Sequence, residues 1–199
     1  MTIKKRTFVI ILALLVLLLA LFLILRPNKN TPVILGDWTY YPDVEDITKD
    51  ADVIIIGDVI SAKSVEQIKV GEKRIEDPNM TIPYTVSTVK VSRALKGDIN
   101  IGDEISIRQL GDHKRRPEST LQRINGYLSK NQECLMFLAE FDDLPYAPLN
   151  PGQGIIWIKE GTKLYSPCEY ALFGYKDSEN TELISIETAI DEISKYVNQ

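Results

Sequence analysis

The side chains able to do chemistry in this sequence are few and scattered. Its single histidine, His113, stands in a basic run, His113-Lys114-Arg115-Arg116. One histidine is too few for a His-rich metal site and weakens any His-dependent triad. The run reads either as a local anion site on an acidic chain or as a solvated loop. Ser87-Thr88-Val89-Lys90 matches the S-x-x-K spacing of serine acylation, which needs both side chains on neighbouring helical faces. Here the stretch reads as strand, and an offset of three sends Ser87 and Lys90 to opposite faces. Asp142-Asp143, and Asp43 with Glu45 and Asp46, offer oxygen ligands of the kind calcium uses, but no glycine-bearing calcium loop frames them. They read instead as a loop acid pair and a helix-capping cluster. No H-E-x-x-H, G-x-S-x-G, P-loop or EF-hand loop occurs. Whether any two carboxylates form a glycosidase pair depends on their separation in space. No catalytic residue, metal or cofactor is expected.

Aromatic residues and cysteines offer binding and cross-linking rather than turnover. Trp38, Tyr40 and Tyr41 form a cluster in Asp37-Trp38-Thr39-Tyr40-Tyr41-Pro42. It is either a stacking platform for a sugar or peptide, or a set of rings packing the edge of a folded body. Together with His113, Lys114, Arg115 and Arg116 it makes up the candidate binding surface. The two cysteines, Cys134 and Cys168, are either one disulfide in an oxidising compartment or two buried thiols acting as small hydrophobes.

The compartment follows from Phe8 to Leu25, eighteen residues with no charge and no polar side chain. As a helix this run is about 27 Å long, close to the hydrocarbon thickness of a bilayer. It ends in Leu25-Arg26-Pro27 without a small-x-small cleavage site, which points to an uncleaved signal-anchor. Lys4, Lys5 and Arg6 before it predict a cytoplasmic N-terminus, with the bulk of the chain outside. The expected organisation is a cytoplasmic tail (1–7), a transmembrane anchor (8–25), a linker (26–36) and an extracytoplasmic domain (37–199), in a single-pass protein of the cell membrane. Beyond residue 30 the chain carries 28 acidic and 18 basic residues, a net charge of −10. That balance opposes a nucleic-acid partner, which wants a basic face.

The elements that must position the candidate residues are mostly strands. Asp43 caps a short helix over 44–50. Asp52 to Ile60 is an apolar, β-branched run broken by Gly57, a buried strand bent at the glycine, with 61–70 extending it outward. Tyr84 to Leu95 is a second long strand whose apolar phase switches once, as at a bulge. Ile105 and Ile107 alternate with Glu104, Ser106 and Arg108 in a half-buried third strand. Cys134 to Phe141 is apolar on both parities and reads as central. Residues 155–158 and 163–165 form a hairpin around Gly161, and 168–175 add a further strand. Ile186, Ala189, Ile190, Ile193 and Val197 fall at helical spacing behind Ser185 as cap. The fold class is mainly β: a small barrel with a C-terminal helix beyond an N-terminal transmembrane helix.

Ala51-Asp52-Val53-Ile54-Ile55-Ile56-Gly57-Asp58-Val59, Tyr84-Thr85-Val86, Leu95-Lys96-Gly97 and Leu135-Met136-Phe137-Leu138 together resemble a group of uncharacterised extracytoplasmic proteins of Gram-positive bacteria. More distantly, the series is similar to the netrin-like domain of tissue inhibitors of metalloproteinases. The resemblance implies a five-stranded OB-type barrel over about residues 44–140. The inhibitors chelate zinc through an N-terminal cysteine, and this chain has no cysteine before Cys134, so that activity does not carry over. Two functions are left. One is a membrane-tethered module that binds a protein or another envelope component without catalysis. The other is an envelope hydrolase or carbohydrate-binding domain using carboxylates with Trp38 or Trp157.

Overall fold

The computed structural model describes residues 38–69, 81–114, 126–173 and 183–197. The anchor predicted at 8–25, its flanks 1–7 and 26–36, and Arg115 and Arg116 lie outside the described residues. Among those described, no helix is long and apolar enough to cross a membrane.

The order is α1 (Val44–Asp50), β1 (Val53–Lys69), β2 (Thr81–Lys96), β3 (Glu104–Leu110), β4 (Glu133–Ala139), β5 (Ala147–Pro148), β6 (Ile155–Lys159), β7 (Lys163–Tyr165) and α2 (Ile186–Ser194). The strands join one mainly antiparallel sheet in the order β3-β2-β1-β4-β6-β7, with β5 beside β4. The chain also closes on itself. Just before β5, Tyr146 forms a parallel bridge with Ile107 of β3. The Tyr146 amide donates to Ser106 O (3.0 Å), and the Arg108 amide donates to Tyr146 O (2.8 Å). Pairing therefore runs β1-β2-β3, through 146–148, to β4 and back to β1.

Closure separates two apolar clusters. Val53, Ile55, Val89, Val91, Ile107 and Met136 belong to one, with Leu128 among them. Ile54, Ile56, Leu135 and Phe137 belong to the other, which Ile47 of α1 and Ile186, Ala189 and Ile193 of α2 cover. Successive strand residues point to opposite faces, so β1 and β4 serve both clusters at once. This explains why their sequences are apolar on both parities.

The bend expected at Gly57 has a close-approach cause. A Cβ there would meet Val89 Cγ1 at 2.5 Å and Lys90 O at 2.9 Å. The register shifts beside it, where Ile56 pairs with Arg93 but Gly57 with Val91. Skipped Ser92 returns its hydroxyl to Ile56 O (3.0 Å). The sequence pattern places the phase switch in β2 earlier, between Val86 and Val89, with Leu95 on the side of Val89 and Val91; the skipped residue instead lies beyond Val91. The skip leaves Val89 and Val91 in the first cluster and lets Leu95 pack on the second.

Both helices start where expected. Asp43 accepts from the Asp46 amide (2.9 Å), and Ser185 from the Thr188 amide (3.1 Å). Lys96 closes the far end of α1 by donating to the Thr48 and Lys49 carbonyls (2.8 and 2.9 Å). One further expectation is corrected. Residues 168–173 are turns and bends, not strand; the Ala171 amide folds back to Cys168 O (3.0 Å). Of the two alternatives left open for the cysteines, the structure has the second: Cys134 and Cys168 are both free and buried. Burial pushes both thiols above the ordinary range, which makes them poor nucleophiles.

The chain enters the fold along 39–41, fixed by the loop after β5. Gln153, fully buried, accepts from the Tyr41 amide (3.0 Å) and donates to the carbonyls of Tyr41 (2.7 Å) and Tyr170 (2.9 Å). Asn150 donates to Thr39 O (2.8 Å). Replacing Gln153 by Leu leaves buried backbone groups unpaired. It should cost about 2–4 kcal/mol, read as a lower urea midpoint with unchanged m-value.

Candidate functional site

The candidate surface residues do not form one surface. Tyr41 is 4% exposed and sits in the helix-covered cluster. Its hydroxyl donates to Asp50, and burial followed by this carboxylate raises its pKa. Tyr40 is 60% exposed and meets Tyr170 edge-on, ring centroids 6.1 Å apart. The His113 amide donates to Thr85 Oγ1 (2.9 Å), and its ring lies edge-on to Tyr127, so this part of the basic run is tied to the fold. Lys114 is exposed. Tyr40 and Tyr41 line an open cleft with Asp46, Lys49 and Asp50; Trp38 faces a separate one, together with Tyr84, Arg108 and Phe141.

That cleft has a volume of about 240 Å³, and Trp38, Tyr84, Arg108, Phe141, Pro148 and Pro151 line it. The fold assembles it from four places. Tyr84 lies on β2 and Arg108 on β3, two ladder positions apart through Val86. Phe141 follows β4, and the prolines flank the loop that fixes the incoming chain. The closing bridge at Tyr146 holds Arg108 by its own amide.

Arg108 is the unusual member. It is only 8% exposed, and its Nε has no hydrogen-bond partner. Its Cζ stands 4.3 Å from the Phe141 ring centroid and 5.3 Å from that of Tyr84. Among the described residues no carboxylate pairs with it. Burial pulls its pKa down, and Tyr84 opposes the shift only through charge. Cation–π contact returns about 0.5–2 kcal/mol, whereas burying an ion costs several kcal/mol. The rings alone leave this guanidinium under-compensated.

A second, larger cleft of about 680 Å³ is lined by Asp58, Glu133, Trp157, Lys159 and Tyr165. Asp58 and Glu133 are direct cross-strand partners on β1 and β4. Like charges so placed repel. Burial first, then Asp58, hold the Glu133 carboxyl above the usual range, against a smaller pull from Arg93. Lys159 lies with Nζ 3.5 Å from the Tyr165 ring centroid. Two acids converge here, one with a raised pKa, which is the minimum for acid–base work. Among the described residues no group of three or more His, Cys, Asp or Glu is placed to hold a metal.

The periodicity of β3 marked Arg108 as an outward residue and nothing more. The rings against it, Tyr84 and Phe141, and the other walls of its cleft, Trp38 and the prolines, lie far from it in sequence. No family model and no curated protein matches this chain.

The raised carboxyl gives a pH signature. Glu133 binds its proton more tightly folded than unfolded, so its contribution to stability is complete below about pH 4.3 and is lost as pH rises through the folded value. Glu133→Gln should therefore be more stable than the parent at pH 7. That difference should vanish by pH 4, as read from urea midpoints at both values.

Proposed function

We propose that this chain is a membrane-anchored, extracytoplasmic OB-type barrel that binds a protein or another envelope component through the Arg108 cleft, without catalysis. The barrel reading is supported by the pairing circuit β1-β2-β3-β5-β4, with its parallel closure between β3 and the start of β5. The netrin-like resemblance is proposed at this level alone. Anchoring rests on the apolar run 8–25 and its basic flank, and exclusion of nucleic acid on the net charge of −10 beyond residue 30.

One observation carries the binding reading. A buried cation with no ionic partner among the described residues lies in an aromatic-walled cleft, while the space inside the strand circuit is filled by aliphatic side chains. Buried charges are ordinarily paired, and a cleft that leaves one unpaired is suited to a ligand that completes it. A second reading, an envelope hydrolase or carbohydrate-binding domain, draws on Asp58, Glu133 and Trp157. It ranks lower because Asp58 is exposed and Glu133 only half-buried, so water meets much of their need.

The test uses the full chain in detergent, immobilised and challenged with envelope fractions and with purified wall polymer. The expected result is retention of a discrete envelope component, weakened at least about tenfold in Trp38→Ala, the loss of one aromatic anchor. Turnover of wall polymer that disappears in Glu133→Gln, with nothing retained, would reverse the ranking.

A further inference from the structure

Arg108 restricts what its cleft will accept. The backbone amide is committed to Tyr146 O, so the guanidinium is the cleft's free charged donor. Phe141 and Tyr84 stand against it, and their ring faces stabilise charge without supplying an acceptor oxygen to Nε–H. Among the described residues nothing fills the donor edge of this rigid planar fork, and its Nε is buried without a partner. That fork pairs in two parallel hydrogen bonds with a planar acceptor carrying two oxygens, and such pairs are about twice as strong as neutral ones. A single positive charge balances a single negative one. A phosphate monoester, with about −1.5 to −2 charge near neutral pH, would be left under-neutralised on a domain that is itself strongly acidic.

The rest of the lining sets the shape of what carries the charge. Trp38, Leu110, Pro148, Leu149 and Pro151 are apolar or aromatic. At about 240 Å³ the space suits one large apolar side chain beside the charged group, and not a run of residues.

Resting on the binding reading above, we infer that the Arg108 cleft captures a carboxylate attached to an apolar body, held bidentately by the guanidinium with the body against Trp38 and the prolines. Two sources share this chemistry: the C-terminus of a peptide ending in a large apolar residue, and a free small organic acid.

Calorimetric titration of the full chain in detergent tests this with four probes: acetyl-glycyl-phenylalanine, its C-terminal amide, phenylpropionate and inorganic phosphate. Saturable binding of the free peptide acid is expected, with the amide at least about tenfold weaker, because the amide leaves the buried charge unmatched. Arg108→Gln should abolish the difference between acid and amide. Arg108→Lys should restore part of it, since lysine supplies charge without the fork. Phenylpropionate binding without the peptide points to a small acid as the source; peptide binding as tight or tighter points to a chain terminus. Either result supports the inference. Equal binding of acid and amide to the unmodified chain would overturn it while leaving a binding cleft, and needs no variant to fold. Tighter, Arg108-dependent binding of phosphate overturns it in favour of another anion. Absence of saturable binding by every probe overturns it too; the broader reading falls separately, with the envelope-capture experiment.

Discussion

Everything in this fold depends on β1 and β4 being buried on both faces. Val53-Ile54-Ile55-Ile56 pairs with Leu135-Met136-Phe137-Leu138, and every one of these side chains is at most 2% exposed. A strand pair so apolar is stable only when both sides are covered. The chain meets this demand in two ways. On one side the strands curl round until β3 reaches Tyr146, and the side chains between them fill the space. On the other, α1 and α2 lay their apolar stripes over the sheet. Gly57 belongs to the same solution, because the curl brings β2 against β1 too closely for a side chain.

Much of this was legible in the sequence because it is local. Two-sided apolar runs, one-sided alternation in β3, the glycine break, the caps Asp43 and Ser185 and the hairpin around Gly161 each depend on residues within a few positions of one another. The hidden features depend on partners far apart. Residues 146–148 sit in a proline-rich stretch with no strand periodicity; they pair because β3 and β4 present open edges there. Residues 168–173 looked like a strand by composition, yet turn, with Cys168 buried among them. The aromatic cluster at 38–41 read as one feature and divides into three: a core ring, an exposed edge pair and a cleft wall. Arg108 looked like an ordinary outward charge; the rings of Tyr84 and Phe141, distant from it in sequence, stand against it, and Trp38 lines the same cleft.

The two clefts pose different electrostatic problems. At Asp58 and Glu133 like charges sit side by side, but solvent reaches them and proton uptake by Glu133 relieves the repulsion. At Arg108 proton loss offers no relief, because guanidinium holds its proton at any ordinary pH; its Nε is buried without a partner, and the rings against it supply no counter-charge. Such a residue is destabilising unless something compensates it. The geometry that buries it, the closing bridge at Tyr146, is therefore also what suits the cleft to recognition.

That bridge is where the fold and the proposed binding cleft meet, and amide hydrogen exchange reads it directly. The Arg108 and Tyr146 amides are the two donors that join β3 to the start of β5. If closure is a stable part of the fold, both should exchange as slowly as amides along the β1–β4 ladder, opening only with global unfolding. Exchange at the rate of the loop amides at 142–144 would contradict this account: the strand circuit would be open at that seam, and Arg108 would lose the support that holds it in its cleft.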